Sequence, residues 1–173
     1  TAAWVTEVAV PESPARDHLY TMYAATRSGG LWKTTNAGTT WTAISDSVGA
    51  AAVGAVALAP SNSSIVWMGT GDQANARSSY SGKGVFKSVD SGSTWSEANT
   101  GIQNSWVDNV TIDPSSPTSL YAGTVFEGVF VSTDSGATWV AINTGLTNLF
   151  IYSLAVDPTT PSTLYAATNG GIS

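Results

Sequence analysis

The sequence of 173 residues contains no cysteine and one histidine. Disulfide frameworks, thiolate zinc sites, iron–sulfur clusters and cysteine nucleophiles are therefore excluded. Charge is also scarce, since 10% of the residues are Asp, Glu, Lys or Arg, against about 25% in an ordinary soluble domain. Only six residues are basic, and all of them lie at or before Lys87. No nucleic-acid partner is expected, because that kind of binding depends on many basic contacts to phosphates.

Long apolar runs are missing too. The longest uncharged run of small apolar residues extends from Val48 to Ala59 and stops at Pro60. A helix that spans a bilayer needs about 20 apolar residues, so no membrane insertion is expected. No cofactor and no metal are expected either.

What the sequence does contain is an internal repeat. Three segments share a Ser/Thr-x-Asp/Asn-x-Gly-x-x-Trp pattern, namely Thr34–Trp41, Ser88–Trp95 and Ser132–Trp139, and their Trp residues lie 54 and 44 positions apart. A second marker, a five-residue strand that ends in Thr, recurs with spacings of 44, 54 and 44. Both series fit a unit of 44 residues in which the second copy carries ten extra residues, within segment 71–84. The copies of the second marker are Met22–Thr26, Val66–Thr70, Leu120–Thr124 and Leu164–Thr168.

Each unit is predicted to hold four short strands, named A to D. Strand A precedes an Ala-Pro or Asp-Pro pair, strand B is the second marker, strand C begins at a glycine, and strand D starts at the Trp. Alternating residues such as Val129-Phe130-Val131 and the lack of any long helical-period run favour an all-β meander. The predicted bounds are Val56–Leu58, Val110–Ile112 and Leu154–Val156 for strands A, and Gly84–Lys87 and Gly128–Val131 for strands C.

A repeat of about 40–50 residues that carries four strands is typical of a β-propeller blade. The prediction is therefore a partial β-propeller over residues 1–173, with about three and a half four-stranded antiparallel blades. The repeats are placed at about 1–48, 49–102 and 103–146, with an incomplete one at 147–173.

The segment that ends in Trp has a structural interpretation. A short carboxylate or amide two residues before glycine accepts hydrogen bonds from the turn backbone, the glycine supplies a positive φ, and the Trp covers the hairpin. Because equivalent copies occur on every blade, a role in fixing the turn is favoured over a single catalytic or metal site. The residues assigned to this structural role are Asn36, Gly38, Trp41, Asp90, Gly92, Trp95, Asp134, Gly136 and Trp139.

These three segments match the Asp-box, also called the BNR repeat. With the flanking Ile-Asp-Pro-Ser-Ser-Pro and Leu-Tyr-Ala-Gly-Thr segments, they resemble the propellers of sialidases, xyloglucanases and sortilin-type proteins along essentially the whole chain. The resemblance implies the propeller fold and leaves the function open, because this repeat occurs in enzymes, receptors and photosystem assembly factors. Xyloglucanase-like proteins carry a catalytic Asp at the first B–C turn, and Arg27 stands there in this sequence. Sialidase-like catalysis would need an arginine cluster, and only three arginines are present.

Candidate ligand-binding residues follow from the predicted meander. Antiparallel strands place the B–C and D–A connections on one face of the disc, and these connections vary most between repeats. A rigid scaffold often carries its function on such variable loops. No catalytic residue is assigned, although a glycosidase pair among Asp72, Asp108 and Glu127 stays open; a solvated loop for 71–84, and packing for Trp106 and Phe150, are the alternatives. The candidates are Arg27, Asp72, Asn75, Arg77, Tyr80, Lys83, Trp106, Asp108, Phe126, Glu127 and Tyr152.

We expect an extracellular or cell-envelope protein that acts as a binding or interaction scaffold, with a glycan or a protein as ligand. The location rests on the resemblance and on the low-lysine, Ser/Thr/Gly/Asn-rich composition. One alternative is part of a glycan-processing glycoside hydrolase, and another is a structural subunit that assembles into an oligomer or filament. Because propellers close with about four to eight blades, the remaining blades are expected from a longer chain or from other copies of this one.

Overall fold

The computed structural model describes residues 4–11, 20–72, 81–103 and 106–172. These residues form four antiparallel sheets, and in each sheet the strands lie side by side in chain order. The first sheet contains β1 (Val5–Ala9), β2 (Met22–Thr26), β3 (Gly30–Thr34) and β4 (Thr42–Ala43). The second contains β5 (Val53–Ala59), β6 (Asn62–Thr70), β7 (Val85–Ser88) and β8 (Ser96–Glu97). The third contains β9 (Val107–Ile112), β10 (Leu120–Thr124), β11 (Val129–Ser132) and β12 (Val140–Ala141). The fourth contains β13 (Ile151–Val156), β14 (Leu164–Thr168) and β15 (Gly171–Ile172).

The predicted all-β meander is therefore confirmed, three times with four strands and once with three. A 3₁₀ turn at Asp46–Val48 is the helical element of the described residues. None of the described segments forms a helix that is long and apolar enough to cross a membrane. The first strands of the sheets, β1, β5, β9 and β13, contact one another in sequence, so they lie along a common axis.

Strand bounds differ from the prediction in all but three strands B. Strands A begin three residues earlier, at Val53, Val107 and Ile151, and β6 begins at Asn62 rather than at Val66. In the second and third sheets strand C begins one residue later than predicted, at Val85 and Val129, after Gly84 and Gly128, whose φ values are 87° and 81°. Strands D begin one residue after the Trp and are two residues long. In the third sheet the backbone N–H of Trp139 donates to the carbonyl of Thr100 at 2.8 Å, which draws this residue out of its own sheet towards the preceding one.

The hydrophobic core consists of three clusters, one between each pair of neighbouring sheets. Both faces of the two middle sheets are therefore buried, which explains why so few charged residues are present. The largest buried members of the clusters are, from the first interface to the third, Tyr23, Phe86 and Met68, then Trp67, Phe130 and Trp139, then Val129, Ile151 and Leu154.

The segments Thr34–Trp41, Ser88–Trp95 and Ser132–Trp139, called here the repeated turns, share one hydrogen-bond network. In the second copy the hydroxyl of Ser88 donates to Asp90 Oδ1 at 2.8 Å and accepts the Gly92 N–H at 2.8 Å. Asp90 Oδ1 also accepts the Thr94 N–H at 2.8 Å. Hydrogen bonds from Thr94 and Ser88 lower the pKa of Asp90 to about 2. Gly92 has a φ of 88°, so the carboxylate and the glycine fix the turn together.

The tryptophans of the repeated turns bond to the preceding sheet. Trp95 Nε1–H donates to the Ile44 carbonyl at 2.7 Å, and Trp139 Nε1–H donates to the Ala98 carbonyl at 2.9 Å. The expectation that each Trp covers its own hairpin is incomplete, because the ring also links two blades. Trp41, in the first sheet, is 38% exposed.

Lysines link the same sheets in the opposite direction. Lys33 Nζ donates to the Ser91 carbonyl at 3.0 Å and lies 5.4 Å from the centre of the Tyr23 ring. Lys87 repeats the arrangement one blade later, with Ser135 as acceptor at 3.0 Å and the Trp67 ring at 5.1 Å. Two of the six basic residues thus hold blades together.

Candidate functional site

The B–C and D–A connections lie on the face of the sheets opposite the repeated turns. On this face the residue that leaves each strand B donates its N–H to the residue that enters strand A. Arg27 donates to the Trp4 carbonyl at 3.0 Å, Val125 to Trp106 at 3.1 Å, and Asn169 to Phe150 at 3.3 Å. An aromatic side chain therefore stands at the entrance of strand A in three of the four sheets.

Every strand A then contains a β-bulge at the same place. In the third sheet Val107 lies opposite Thr124 and Asn109 opposite Gly123, so the pairing skips Asp108. The pairing skips one residue in the other three sheets as well. A bulge turns a side chain away from the regular alternation and is common next to functional sites. The four bulged residues are Thr6, Gly54, Asp108 and Tyr152.

The bulged residues meet at a cleft of about 380 Å³ around the axis of the strands, called here the axial cleft. Charged, polar and aromatic side chains from all four sheets contribute to it. Its lining consists of Trp4, Val5, Thr6, Arg27, Gly54, Asp72, Asp108, Phe150 and Tyr152.

Two carboxylates and one guanidinium give the axial cleft its charge. Arg27 Nε and Asp72 Oδ2 lie 2.5 Å apart as an ion pair, and Asp72 is almost completely buried. Burial and, to a smaller extent, the charge of Asp72 raise the pKa of Asp108 to about 7, although Arg27 opposes the shift. Among the described residues, Asp108 Oδ1 is a buried oxygen that accepts no hydrogen bond.

Gly54 allows Asp108 to occupy this position. A Cβ atom on Gly54 would lie 3.0 Å from Asp108 Cα and 2.9 Å from the Gly71 carbonyl oxygen. These approaches are too close for any residue with a side chain. Because Gly54, the bulged residue of the second sheet, has no side chain, it leaves space for Asp108, the bulged residue of the third sheet.

Aromatic rings extend from the axial cleft across the face. The ring centroids of Tyr152 and Phe150 are 4.9 Å apart, those of Phe150 and Phe126 are 5.8 Å apart, and those of Phe126 and Trp106 are 5.9 Å apart. These four residues are called here the aromatic row. Trp4 lies on the other side of the cleft, with the Arg27 guanidinium carbon 5.6 Å from its ring centre.

The structure brings six of the eleven candidates together. Arg27, Asp72, Asp108 and Tyr152 line the axial cleft, and Trp106 and Phe126 continue into the aromatic row. Lys83 and Glu127 do not line it: Lys83 Nζ donates to the Val48 carbonyl at 2.8 Å, and the Glu127 carbonyl accepts from Asn143 Nδ2 at 2.7 Å. The remaining candidates, Asn75, Arg77 and Tyr80, lie outside the described residues.

Sequence reasoning missed four residues of the axial cleft, Trp4, Val5, Thr6 and Gly54, and favoured packing for a fifth, Phe150. Trp4 had a usable signal, because an aromatic followed by Val or Ile occurs at Trp4-Val5, Trp106-Val107 and Phe150-Ile151. Thr6 and Gly54 had none, since their place in the cleft depends on the bulge, which leaves no mark in the hydrophobic pattern.

Comparisons with protein-family models and with curated protein sequences gave no match. Several solved structures do match. The GH74 xyloglucanase from Xanthomonas campestris has a TM-score of 0.73 and 20% identity over 98% of this chain and 28% of that protein. A GH74 enzyme from Niastella koreensis has a TM-score of 0.72 and 24% identity over 96% of this chain and 26% of that enzyme. YCF48 from Cyanidioschyzon merolae has a TM-score of 0.61 and 15% identity over 96% of this chain and 50% of that protein.

This chain thus spans about a quarter of the length of the two GH74 enzymes and half that of YCF48. The identities are low, so the likeness concerns the fold. Since these similar structures are propellers and match over nearly the whole chain, the four sheets are propeller blades, and this chain contains about three and a half of them.

Proposed function

We propose that this chain is part of an Asp-box β-propeller that binds glycans on the face that carries the axial cleft. The observation that supports this function best is the aromatic row beside a polar cleft. Aromatic rings can stack on the apolar faces of sugar rings, and a few convergent polar groups can fix the orientation of a ligand. The Asp-box assignment rests on the hydrogen-bond network that the repeated turns share.

Phe126 favours a binding role over a packing role for the row. Its φ is 90°, which is an unusual and strained value for a bulky residue, and its side chain is 54% exposed. Strain of this kind persists where the surroundings enforce it, and it is often found at ligand-binding positions. Packing alone would not require an exposed ring in this conformation.

The similar structures supply two ligand classes. Two of them are GH74 enzymes, one of which is a xyloglucanase, and this supports a glycan. Another matching structure is YCF48 bound to D1 peptide, which makes a peptide the competing class. A peptide often binds by adding a strand to a free sheet edge. The axial cleft and the aromatic row instead offer ring surfaces on which a sugar can stack, so we favour a glycan as the ligand.

A glycan array followed by titration calorimetry tests the proposal, with Phe126→Gly as the variant. Glycine adopts a φ of 90° without strain, so we expect affinity to fall about tenfold, which corresponds to about 1.4 kcal/mol, while the melting temperature does not decrease. Tyr20→Ala, which removes an exposed ring on the opposite face, is the matched control and leaves affinity unchanged. Equal affinity of Phe126→Gly and the unaltered protein would contradict the role of the row.

The proposal includes a location and partners. We place the protein outside the cell or in the cell envelope, in keeping with its low lysine content and its similarity to glycan-related propellers. Further blades, from a longer chain or from other copies, would cover the two outer sheets, where Val8 and Tyr165 are 53% and 49% exposed.

A glycoside hydrolase is the second candidate, and Asp108 is the observation that favours it. A carboxyl with a pKa of about 7 is suited to act as a general acid, and Asp72 supplies a second carboxylate in the same cleft. Release of reducing sugar from xyloglucan or other β-glucans, lost in Asp108→Asn, would establish it. Binding without turnover would leave the scaffold function.

A further inference from the structure

We propose that the axial cleft binds a protonated amine carried on a sugar ring, as in an oligomer of glucosamine. The inference rests on the proposed glycan-binding function and names the class of glycan. It follows from the charge, the hydrogen bonding and the walls of the cleft.

The charges in the axial cleft do not balance. Among the described residues that line the cleft, Arg27 is the one cation and is ion-paired with Asp72, so an ionised Asp108 leaves one negative charge in excess. The lysines of the described residues are engaged elsewhere, since Lys33, Lys83 and Lys87 each donate to a backbone carbonyl away from the cleft. A buried charge is costly unless it is paired and hydrogen-bonded. A cationic ligand would supply the compensating charge.

Asp108 is poised to accept such a ligand. Its Oδ1 atom is buried and accepts no hydrogen bond from the described residues. Burial and the nearby charge of Asp72 raise its pKa to about 7. An ammonium group at this carboxyl would offset both causes, since an opposite charge favours the ionised form. Binding would therefore be coupled to loss of the Asp108 proton.

The walls of the cleft favour an ammonium over a metal ion. Calcium takes about six to eight oxygen ligands, and no group of three acidic or histidine side chains in the described part of the chain is arranged to hold a metal. Instead, the aromatic side chains of Trp4, Phe150 and Tyr152 line the cleft. Aromatic faces attract ammonium groups through the ring quadrupole, and more strongly where water is excluded.

A sugar amine fits better than a lysine side chain. In glucosamine the ammonium is attached directly to the pyranose ring, so the charge can meet Asp108 while the same ring stacks on Phe150. The neighbouring sugars can then follow the aromatic row towards Phe126. A lysine carries its charge on a flexible stem, which costs conformational entropy to order and leaves the row uncovered.

Calorimetry on the full 173-residue chain tests this inference with four probes of equal length. These are a trimethylated glucosamine hexamer, whose charge does not titrate, an N-acetylglucosamine hexamer, a glucose hexamer and a lysine hexapeptide. We expect the trimethylated hexamer to bind at least about tenfold more tightly than the two neutral sugars, a difference of about 1.4 kcal/mol. It should also bind more tightly than the peptide.

The pH dependence gives a second readout that needs no variant. Affinity for the trimethylated hexamer should rise as the pH passes upward through the Asp108 pKa of about 7, because only the ionised carboxyl attracts the cation. Arg27, Asp72 and Tyr152 are the other charged or titratable groups that line the cleft. Affinity for the neutral hexamers should stay constant across the same range.

Asp108→Asn preserves the shape of the side chain and should abolish the preference for the charged hexamer. Glu97→Gln, which removes one negative charge from exposed strand β8, should leave it intact. A preference that survives in Asp108→Asn would overturn the assignment of the site.

The other outcomes separate this inference from the proposed function. If neutral and charged hexamers bind equally, glycan binding stands and the amine inference is overturned. If the lysine peptide binds as tightly as the charged sugar, sugar-amine recognition is overturned. If no hexamer binds, this inference is overturned, and the glycan array decides the proposed function separately.

Discussion

Asp108 combines a buried position in the axial cleft with an unusually high pKa. The bulge in β9 directs it to the axial cleft, Gly54 leaves space beside it, and burial keeps its pKa near 7. An ionised carboxylate in this environment destabilises the folded protein whenever no cation is bound. The residue therefore contributes to binding at the expense of stability.

The first prediction concerns that cost. The folded pKa of Asp108, about 7, lies above the ordinary value of 3.8, so between these two values the folded protein retains a proton that the unfolded chain has lost. Stability from this group is present at pH below 3.8 and decreases as the pH rises to about 7. Asp108→Asn should be more stable than the unaltered protein above that pH, by about 2 kcal/mol after allowance for solvent screening. Urea unfolding at a series of pH values measures the difference, which should vanish in acid; a constant difference would contradict the assignment.

The second prediction concerns Arg27, whose charge lowers the pKa of Asp108. Arg27→Gln removes that effect, so we expect the Asp108 pKa to rise further above 7. Carbon-detected NMR titration of the carboxyl resonances measures it. Lys83→Gln, which removes a cation bonded to the Val48 carbonyl outside the cleft, is the control and should leave the titration unchanged. A fall in the Asp108 pKa in Arg27→Gln would be incompatible with this electrostatic arrangement.

At the scale of the element, the repeated turn acts both within and between blades. Its hydroxyl, carboxylate and glycine fix the turn, whereas its tryptophan bonds to the blade before it. Each added blade thus brings the group that attaches it to its predecessor. The stability of the arc is therefore distributed over its interfaces, as in other repeat proteins.

The third prediction uses two copies of the same tryptophan. Trp139 is 3% exposed and its Nε1–H donates to Ala98, whereas Trp41 is 38% exposed. Trp139→Ala should cost about 3–5 kcal/mol of the free energy of unfolding, as for large aromatic residues in cores. Trp41→Ala, the matched control at the equivalent position, should cost less than half as much in the same denaturation experiment. Equal losses would mean that the interface does not depend on the tryptophan.

The internal repeat made the strands and turns predictable from the sequence. The contacts between one repeat and the next were not predictable. The strands Met22–Thr26, Leu120–Thr124 and Leu164–Thr168 agree with the expected bounds, because the recurring Thr and glycine mark them. The arrangement of Asn36, Asp90 and Asp134 in their turns could be anticipated, because those hydrogen bonds span only a few residues. The link from Trp95 to Ile44 could not, because it joins positions 51 residues apart.

The sequence predicted which face of the sheets carries the candidate site, but not how the residues of the site are arranged. Loop variation pointed to Arg27, Asp72 and Asp108, but Asp108 reaches the cleft through the bulge in β9, which hydrophobic alternation does not reveal. The ion pair of Arg27 and Asp72 joins residues from two different blades. Such pairs become visible only when the relative position of the blades is known.

At the scale of the whole molecule, the two outer blades differ from the inner ones in one measurable respect. Val56, Val110 and Leu154 occupy equivalent places in their strands and are 3%, 4% and 7% exposed, because each packs against the preceding blade. Val8 has the same place in the first blade and is 53% exposed. Tyr165, at the far end, is 49% exposed, whereas the equivalent Tyr23 and Trp67 are each 1% exposed.

The fourth prediction follows from these two faces. Contiguous apolar surface binds hydrophobic dyes and promotes association, so the 173-residue chain produced alone should bind such a dye and self-associate in light scattering. The double variant Val8→Thr/Tyr165→Thr should reduce both signals. Val89→Thr, at a valine that is 65% exposed within a repeated turn, should change neither. A monomer that binds no dye would show that these faces need no cover.

The bulge at the start of every strand A has a consequence for how this scaffold can change its ligand. A residue that the ladder skips takes no part in the alternation that builds the core. Thr, Gly, Asp and Tyr occupy this position in the four blades, although they differ in size, charge and polarity. Selection for a new ligand can therefore act on Thr6, Asp108 and Tyr152 one at a time, whereas Gly54 has to stay without a side chain, and the sheets that hold these residues keep the same packing.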